Sequence, residues 1–367
     1  MAEIDQNLAF EPATIIGELI KSKELSPVEI TKLYLERIEK LDSNLNSYLT
    51  VTADIALSAA QKAETEVMGG GELGALHGIP ISIKDLQMTK GVRTTGGSLA
   101  YKDRIPEADC AVVERVLKAG AIMLGKTNSP EFGLLGANEN RLGDPCRNPW
   151  NVDRTSGGSS GGAGASIVAG LTSLATGGDG GGSIRIPASF NGIYGIKPTQ
   201  GRVSSFSGAL TSPLANYLSQ QGPLTRTVKD SALLLQVLAG YDSRDPGSLR
   251  APVPNFLDSV TREISGLKIG WSPDYGYASV DSEVLSITES AANVFTELGC
   301  TVIESNLKLE GAFDTWFTLF AAGAFATQGH LLDDEKDPLT WYARYAIEHG
   351  SKTTGADYVK AVGERDR

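Results

Sequence analysis

Ile79-Pro80-Ile81-Ser82-Ile83, Ala111 to Lys118, and Ala121-Ile122-Met123-Leu124 decide the fold. The first and third are short apolar runs of the kind that form buried strands. The second reads as a helix. Strand, helix and strand in that order predict an α/β sheet covered by helices.

The same reading extends outward from this stretch. On the N-terminal side, Ser26-Pro27-Val28-Glu29 is a helix start. Ser26 suits the cap, Pro27 the first helical position, and Glu29 can close a capping box. Leu25 and Ile30 are placed as a hydrophobic staple. Ile30, Leu33, Ile38 and Leu41 mark one face of an amphipathic helix. On the C-terminal side, Lys229 to Ala239 and Ser282 to Leu298 have helical patterns. Leu267 to Trp271 and Thr301 to Glu304 read as strands around the second of these, and Gly355 to Arg367 reads as a further helix. No repeat or linker interrupts the chain, so one domain over residues 1–367 is expected.

Composition narrows the function. The chain has 367 residues, 41% of them hydrophobic, and a net charge of −11. That surplus of acid argues against nucleic-acid binding by bulk electrostatics. Three widely spaced cysteines, Cys110, Cys146 and Cys300, favour neither a disulfide framework nor a zinc site. Met1 to Phe10 lacks the basic start and apolar run of a signal peptide. The apolar run Phe317 to Ala326 is too short to span a bilayer. A soluble cytoplasmic protein without membrane attachment is expected. The only histidines are His77, His330 and His349, so a Ser-His-Asp triad has few candidates for its base.

Gly120-Ala121-Ile122-Met123-Leu124-Gly125-Lys126-Thr127 matches the P-loop pattern by letter. Its physics disagrees. A phosphate loop needs a bent backbone whose amides converge, whereas these residues are bulky and continue a buried strand. The residues before Gly120 read as helix where a strand is required.

Two glycine-serine clusters carry a stronger signal: Ser156-Gly157-Gly158-Ser159-Ser160-Gly161-Gly162 and Gly177-Gly178-Asp179-Gly180-Gly181-Gly182-Ser183. A flexible linker would stay polar on both sides. Here apolar runs lie between and after the clusters, at Ala165 to Ala169, Leu171 to Ala175 and Ile184 to Ile186. Glycine loses the most freedom on ordering, so ordered clusters imply close backbone approach or unusual dihedrals. Backbone amides around a serine are what a developing oxyanion requires. Ser183 closes the second cluster, and the residues after it could open a helix. Its base could be His77 or Lys84. Lys84 ends an apolar strand and is either an ion-pair partner of an acidic neighbour such as Asp85 or a desolvated, neutral base.

Taken together, these residues resemble the amidase signature family. The likeness runs through Gly78 to Asp85, Gly125-Lys126-Thr127-Asn128 with Glu131-Phe132-Gly133, and Asn148-Pro149-Trp150-Asn151. It continues through the Ser156 to Gly162 cluster and Gly180 to Ala188, and closes with Gly195 to Thr199 and Gly201-Arg202-Val203. The resemblance implies a central mixed β-sheet with helices on both faces. It also implies a Ser–cis-Ser–Lys triad of Ser183, Ser159 and Lys84, with Ser159 held by a cis peptide bond. Gly180, Gly181, Gly182 and the Ser183 amide would form the oxyanion hole. Ser160, Asp179 and Arg185 would support the loop. No metal or organic cofactor is implied.

The expected activity is hydrolysis of a small carboxamide through an acyl-enzyme. Two other functions share the motifs or the fold: the glutaminase subunit of a tRNA-dependent amidotransferase, and a shortened, non-catalytic binding protein. Two departures from the family pattern stand out. Gly178 replaces a common threonine or serine, and the usual C-terminal strands and helices do not follow Arg367. The second departure predicts an exposed sheet edge, apolar surface and self-association.

Overall fold

The computed structural model describes residues 5–209 and 218–367. Met1 to Ile4, part of the N-terminal run read above, lie outside the described residues.

Among the described residues ten strands follow in chain order. They are β1 (Tyr48–Val51), β2 (Pro80–Lys84), β3 (Ile122–Thr127), β4 (Arg147–Asn148), β5 (Asn151–Thr155), β6 (Leu174–Asp179), β7 (Tyr194–Gly195), β8 (Gln220–Thr225), β9 (Lys268–Trp271) and β10 (Thr301–Glu304). The helices are α1 (Ala13–Lys21), α2 (Pro27–Leu45), α3 (Ala53–Gly69), α4 (Ala111–Lys118), α5 (Gly161–Val168) and α6 (Arg185–Asn191). They continue as α7 (Val228–Leu238), α8 (Phe256–Ser259), α9 (Ser282–Glu297), α10 (Ala312–Gln328), α11 (Trp341–Ser351) and α12 (Gly355–Asp366).

Among the described residues six strands form the central sheet, in the order β1-β3-β2-β6-β8-β7. β3, β2 and β6 run parallel. β1, β8 and β7 pair antiparallel, so the sheet is mixed. β2 and β3 are buried at every position, as expected of central strands reached by helical crossovers. Adjacent residues of β6 belong to different apolar clusters. Leu174 joins the main core, which includes residues of α1 to α4 and α7, and Ala175 joins a second cluster with Ala163 and Ile167 of α5. Alternation along a strand thus places helices on both faces.

The helix start at Ser26 is built as its sequence predicts. Ser26 Oγ accepts from Val28 and Glu29 N–H, and Glu29 returns a bond to Ser26 N–H. Leu41 differs from expectation: it is 38% exposed. β9 and β10 form their own parallel pair, separate from the central sheet. Around them Val284, Ile287, Val294 and Leu298 of the expected helix are exposed. No helix among the described residues is long and apolar enough to cross a membrane.

Candidate active site

β2 delivers Lys84 into the interior, where it is 1% exposed. An amine there must find partners. Its Nζ donates to Ser159 Oγ at 2.7 Å, Ser160 Oγ at 2.8 Å and the Gly178 carbonyl at 3.3 Å. Desolvation lowers its pKa from 10.5 to about 7, with Asp179 acting in the opposite direction. A substantial neutral fraction therefore exists near neutral pH, and neutral amine is a base.

Asp85 is not the partner of Lys84. Its Oδ2 accepts from the Thr95 amide at 3.0 Å, the Thr95 hydroxyl at 2.5 Å and the Gly97 amide at 3.3 Å. The histidines also lie elsewhere. His77 Nε2 faces the Ala63 carbonyl and Glu66, His330 meets Tyr101, and His349 packs on Phe317. Of the two bases the sequence offered to a serine, only Lys84 touches one.

Both glycine-serine clusters converge on Lys84. The first supplies Ser159 and Ser160, and the Gly158–Ser159 peptide is cis. α5 starts directly after Ser160. The second cluster begins inside β6, which covers Gly177, Gly178 and Asp179, and then leaves the sheet. The Ser160 amide donates to the Ser183 carbonyl at 3.1 Å and so holds the clusters together. The Ser183 side chain lies on a half-buried residue. Among the described residues no hydrogen bond joins the hydroxyls of Ser159 and Ser183. Such bonds are often long in unliganded sites.

Asp179 and Arg185 clip the loop between them. Arg185 Nε and a terminal nitrogen each donate to Asp179 at 2.9 Å. The Gly182 amide donates to Asp179 Oδ1 at 2.7 Å and the Ile184 amide to Oδ2 at 3.1 Å. Burial alone would raise the pKa of Asp179. Arg185 and these amides outweigh it, so the net direction is down. Gly182 has φ +120°, a conformation L side chains rarely adopt. Of the amides expected to face an oxyanion, that of Gly182 is therefore already engaged by Asp179.

Trp316 of α10 is a residue the sequence reading did not single out. Its indole N–H donates to the Gly180 carbonyl at 2.6 Å. The ring lies against Gly181, where an added Cβ would come within 2.5 Å of it. A trans peptide points its C=O and N–H in opposite directions, so this bond aims the Gly181 N–H away from α10. Nothing local marks Trp316, because the bond spans 136 positions. The available hint is general: an indole N–H within apolar surroundings seeks an acceptor.

The P-loop letters fold as foreseen. Ile122 to Thr127 is strand β3, paired with β1 on one side and β2 on the other. Among the described residues no group of three or more His, Cys, Asp or Glu could hold a metal ion.

Known proteins share this architecture. A bacterial aryl acylamidase of the amidase signature enzymes superimposes with a TM-score of 0.91 at 33% identity, over 97% of this chain and 76% of that one. An acylamidase of Rhodococcus erythropolis is 34% identical over 359 residues, covering 97% of this chain and 75% of its own length. A glutamyl-tRNA(Gln) amidotransferase subunit from Marinomonas sp. (strain MWYL1) is 40% identical over 342 residues, which make up 91% of this chain. This chain spans 70% of that protein's length and 64% of its counterpart in Geobacter sp. (strain M21). Fold and sequence place the molecule in the class of amide-hydrolysing enzymes. The chain belongs to the amidase family, whose family model matches residues 29–363.

Proposed function

We propose that this chain hydrolyses a carboxamide C–N bond with Ser183 as nucleophile, Ser159 as proton relay and Lys84 as base. The observation that carries the reading is the buried amine of Lys84, 2.7 Å from the Ser159 hydroxyl. Neutral Lys84 accepts the Ser159 proton while Ser159 accepts that of Ser183. The Ser183 oxygen then bonds to the carbonyl carbon, and negative charge moves to the carbonyl oxygen. The amides of Gly181 and Ser183 suit that charge, since the Gly182 amide serves Asp179. When the C–N bond breaks, the proton returns through Ser159 to the leaving nitrogen. Water attacks the acyl-enzyme by the same relay, giving a carboxylic acid and regenerating Ser183.

The test pairs activity with trapping. A fluorophosphonate should label Ser183, read by peptide mass, and Ser183→Ala should abolish labelling and lower kcat about 10³-fold or more. A folded wild-type protein that neither labels nor turns over any of a broad amide panel would favour a non-catalytic role.

One observation favours a second reading. The amidotransferase subunits named above have higher identity than the acylamidase. Under that reading the scissile amide is glutamine's, and hydrolysis appears only when partner proteins are added.

A further inference from the structure

α10, α11 and α12 line a cavity of about 620 Å3 together with the segments that follow β2 and β3 and the one that precedes β8. Leu86, Phe132, Leu319, Phe320, Gly323 and Tyr358 are among its walls. Among the described lining residues none belongs to either glycine-serine cluster, but two close approaches bring its walls near the site. At Gly133 an added Cβ would lie 2.9 Å from Leu86 Cδ1 and 3.1 Å from Ser159 Oγ. At Gly180 it would lie 2.5 Å from Ser219 Oγ and 3.6 Å from a Phe320 ring carbon. Wall residues of the cavity thus stand beside both the relay serine and the loop before Ser183.

The lining suits an apolar guest. Among the described residues around the cavity there is no Asp or Glu. Its two guanidinium groups already have partners. Arg104 Nε donates to the Thr94 carbonyl at 2.8 Å and its guanidinium lies over the Tyr101 ring. Arg365 donates twice to Asp366. The α-ammonium of an amino acid would be desolvated here without a carboxylate to receive it, which is costly.

Gly323 adds an independent observation. It lies in the interior of α10, where glycine weakens a helix relative to alanine. Its φ is not among the left-handed ones. Nothing lies within 4 Å of where its Cβ would be. Neither the backbone nor the packing of the described residues requires glycine there, yet the position faces the cavity.

We propose that this cavity receives an aryl or medium-chain alkyl group attached to the scissile amide, and that Gly323 sets its depth. The volume falls in the range of small-molecule pockets, roughly 300–1,000 Å3. This inference rests on the amide-hydrolase reading for its substrate, and the test separates the two.

The Ser183→Ala protein, which should not turn over, is titrated calorimetrically with hexananilide, acetamide and glutamine. Hexananilide should bind at least about ten-fold tighter than either of the others, given the discrimination that apolar pockets reach per added group. In otherwise native enzyme, Gly323→Leu should lower the ratio of kcat/KM for hexananilide to that for acetamide about ten-fold. Gly323→Ala should lower it less. If wild type hydrolyses no amide but Ser183→Ala still prefers hexananilide, the hydrolase reading falls and the cavity assignment stands. Glutamine binding as tightly as hexananilide would overturn the assignment. So would an unchanged selectivity ratio in Gly323→Leu protein that circular dichroism shows to be folded. If that variant does not fold, the binding comparison decides alone.

Discussion

Two buried lysines stand on neighbouring parallel strands, Lys84 at the end of β2 and Lys126 near the end of β3. Their strands pair so that Ile83 faces Lys126 and Lys84 faces Thr127. Both are essentially unexposed, and desolvation lowers both pKa values, to about 7 and about 8. Their partners separate them. Lys126 Nζ donates to the Gln87 carbonyl at 2.5 Å and to the hydroxyls of Thr89 and Thr94 at 2.6 and 3.1 Å. Those acceptors belong to one loop, and none lies in a glycine-serine cluster. Lys84 instead bonds two serines of one cluster and a carbonyl of the other. A buried lysine with a lowered pKa is therefore not by itself evidence of catalysis. What it donates to distinguishes a structural staple from a base.

The largest effect expected of this contrast comes from Lys84→Arg. Guanidinium does not release its proton in a protein, so the proposed relay would have no base. A loss of kcat of about 10³-fold or more should follow. The wild-type pH profile gives the same comparison a sign. Below about pH 7, Lys84 is increasingly protonated and cannot accept a proton. Activity should therefore rise with pH, with kcat/KM showing a rising limb near 7. An arginine variant with most of its activity, or a flat profile from pH 5.5 to 8.5, would make Lys84 a staple like Lys126.

Much of this contrast was legible in the sequence, and the reasons are physical. A lysine closing an apolar strand, and glycine clusters set between apolar runs, are local patterns. β2, β3 and α4 follow from period and composition alone. β8 does not. Gln220-Gln221-Gly222-Pro223 has little strand propensity, and pairing with β6 along its whole length creates the strand. The amphipathic pattern of α9 predicts a helix, but not that Val284 and Ile287 stay exposed. Trp316 was hidden for the same reason as β8: its role exists only after distant segments meet.

Trp316→Phe tests that long-range part at intermediate size. Phenylalanine preserves an aromatic ring beside Phe320, 4.9 Å between centroids in the native pair, but removes the donor to Gly180. Losing an oxyanion donor directly costs on the order of 10²- to 10³-fold. Under the proposed mechanism Trp316 acts as a positioning residue through one peptide plane, so a kcat loss of about ten-fold is expected. KM should change little. A merely structural tryptophan would lower the thermal midpoint without this kcat-against-KM split.

Lys126→Met should have the smallest effect on turnover and thereby gives the sharpest form of the comparison. Methionine approximates the length and volume of the lysine stem but donates nothing. The Gln87 carbonyl and the hydroxyls of Thr89 and Thr94 would lose a buried donor. Asp85 would lose the cation that helps keep its carboxyl ionised against burial. Leaving buried polar groups unsatisfied costs about 1–3 kcal/mol, so denaturant unfolding should show a clear loss of stability. The contacts of Ser159, Ser160 and Gly178 with Lys84 do not pass through Lys126. The kcat per folded molecule, normalised by active-site titration, should therefore stay within about two-fold, an allowance for small shifts at the Lys84 end of β2. Lys84→Met differs only in which of two adjacent buried amines is removed, and it should reverse the outcome by abolishing turnover. If both methionine variants lose activity equally while folded, the two lysines form one functional unit, and the division between base and staple fails.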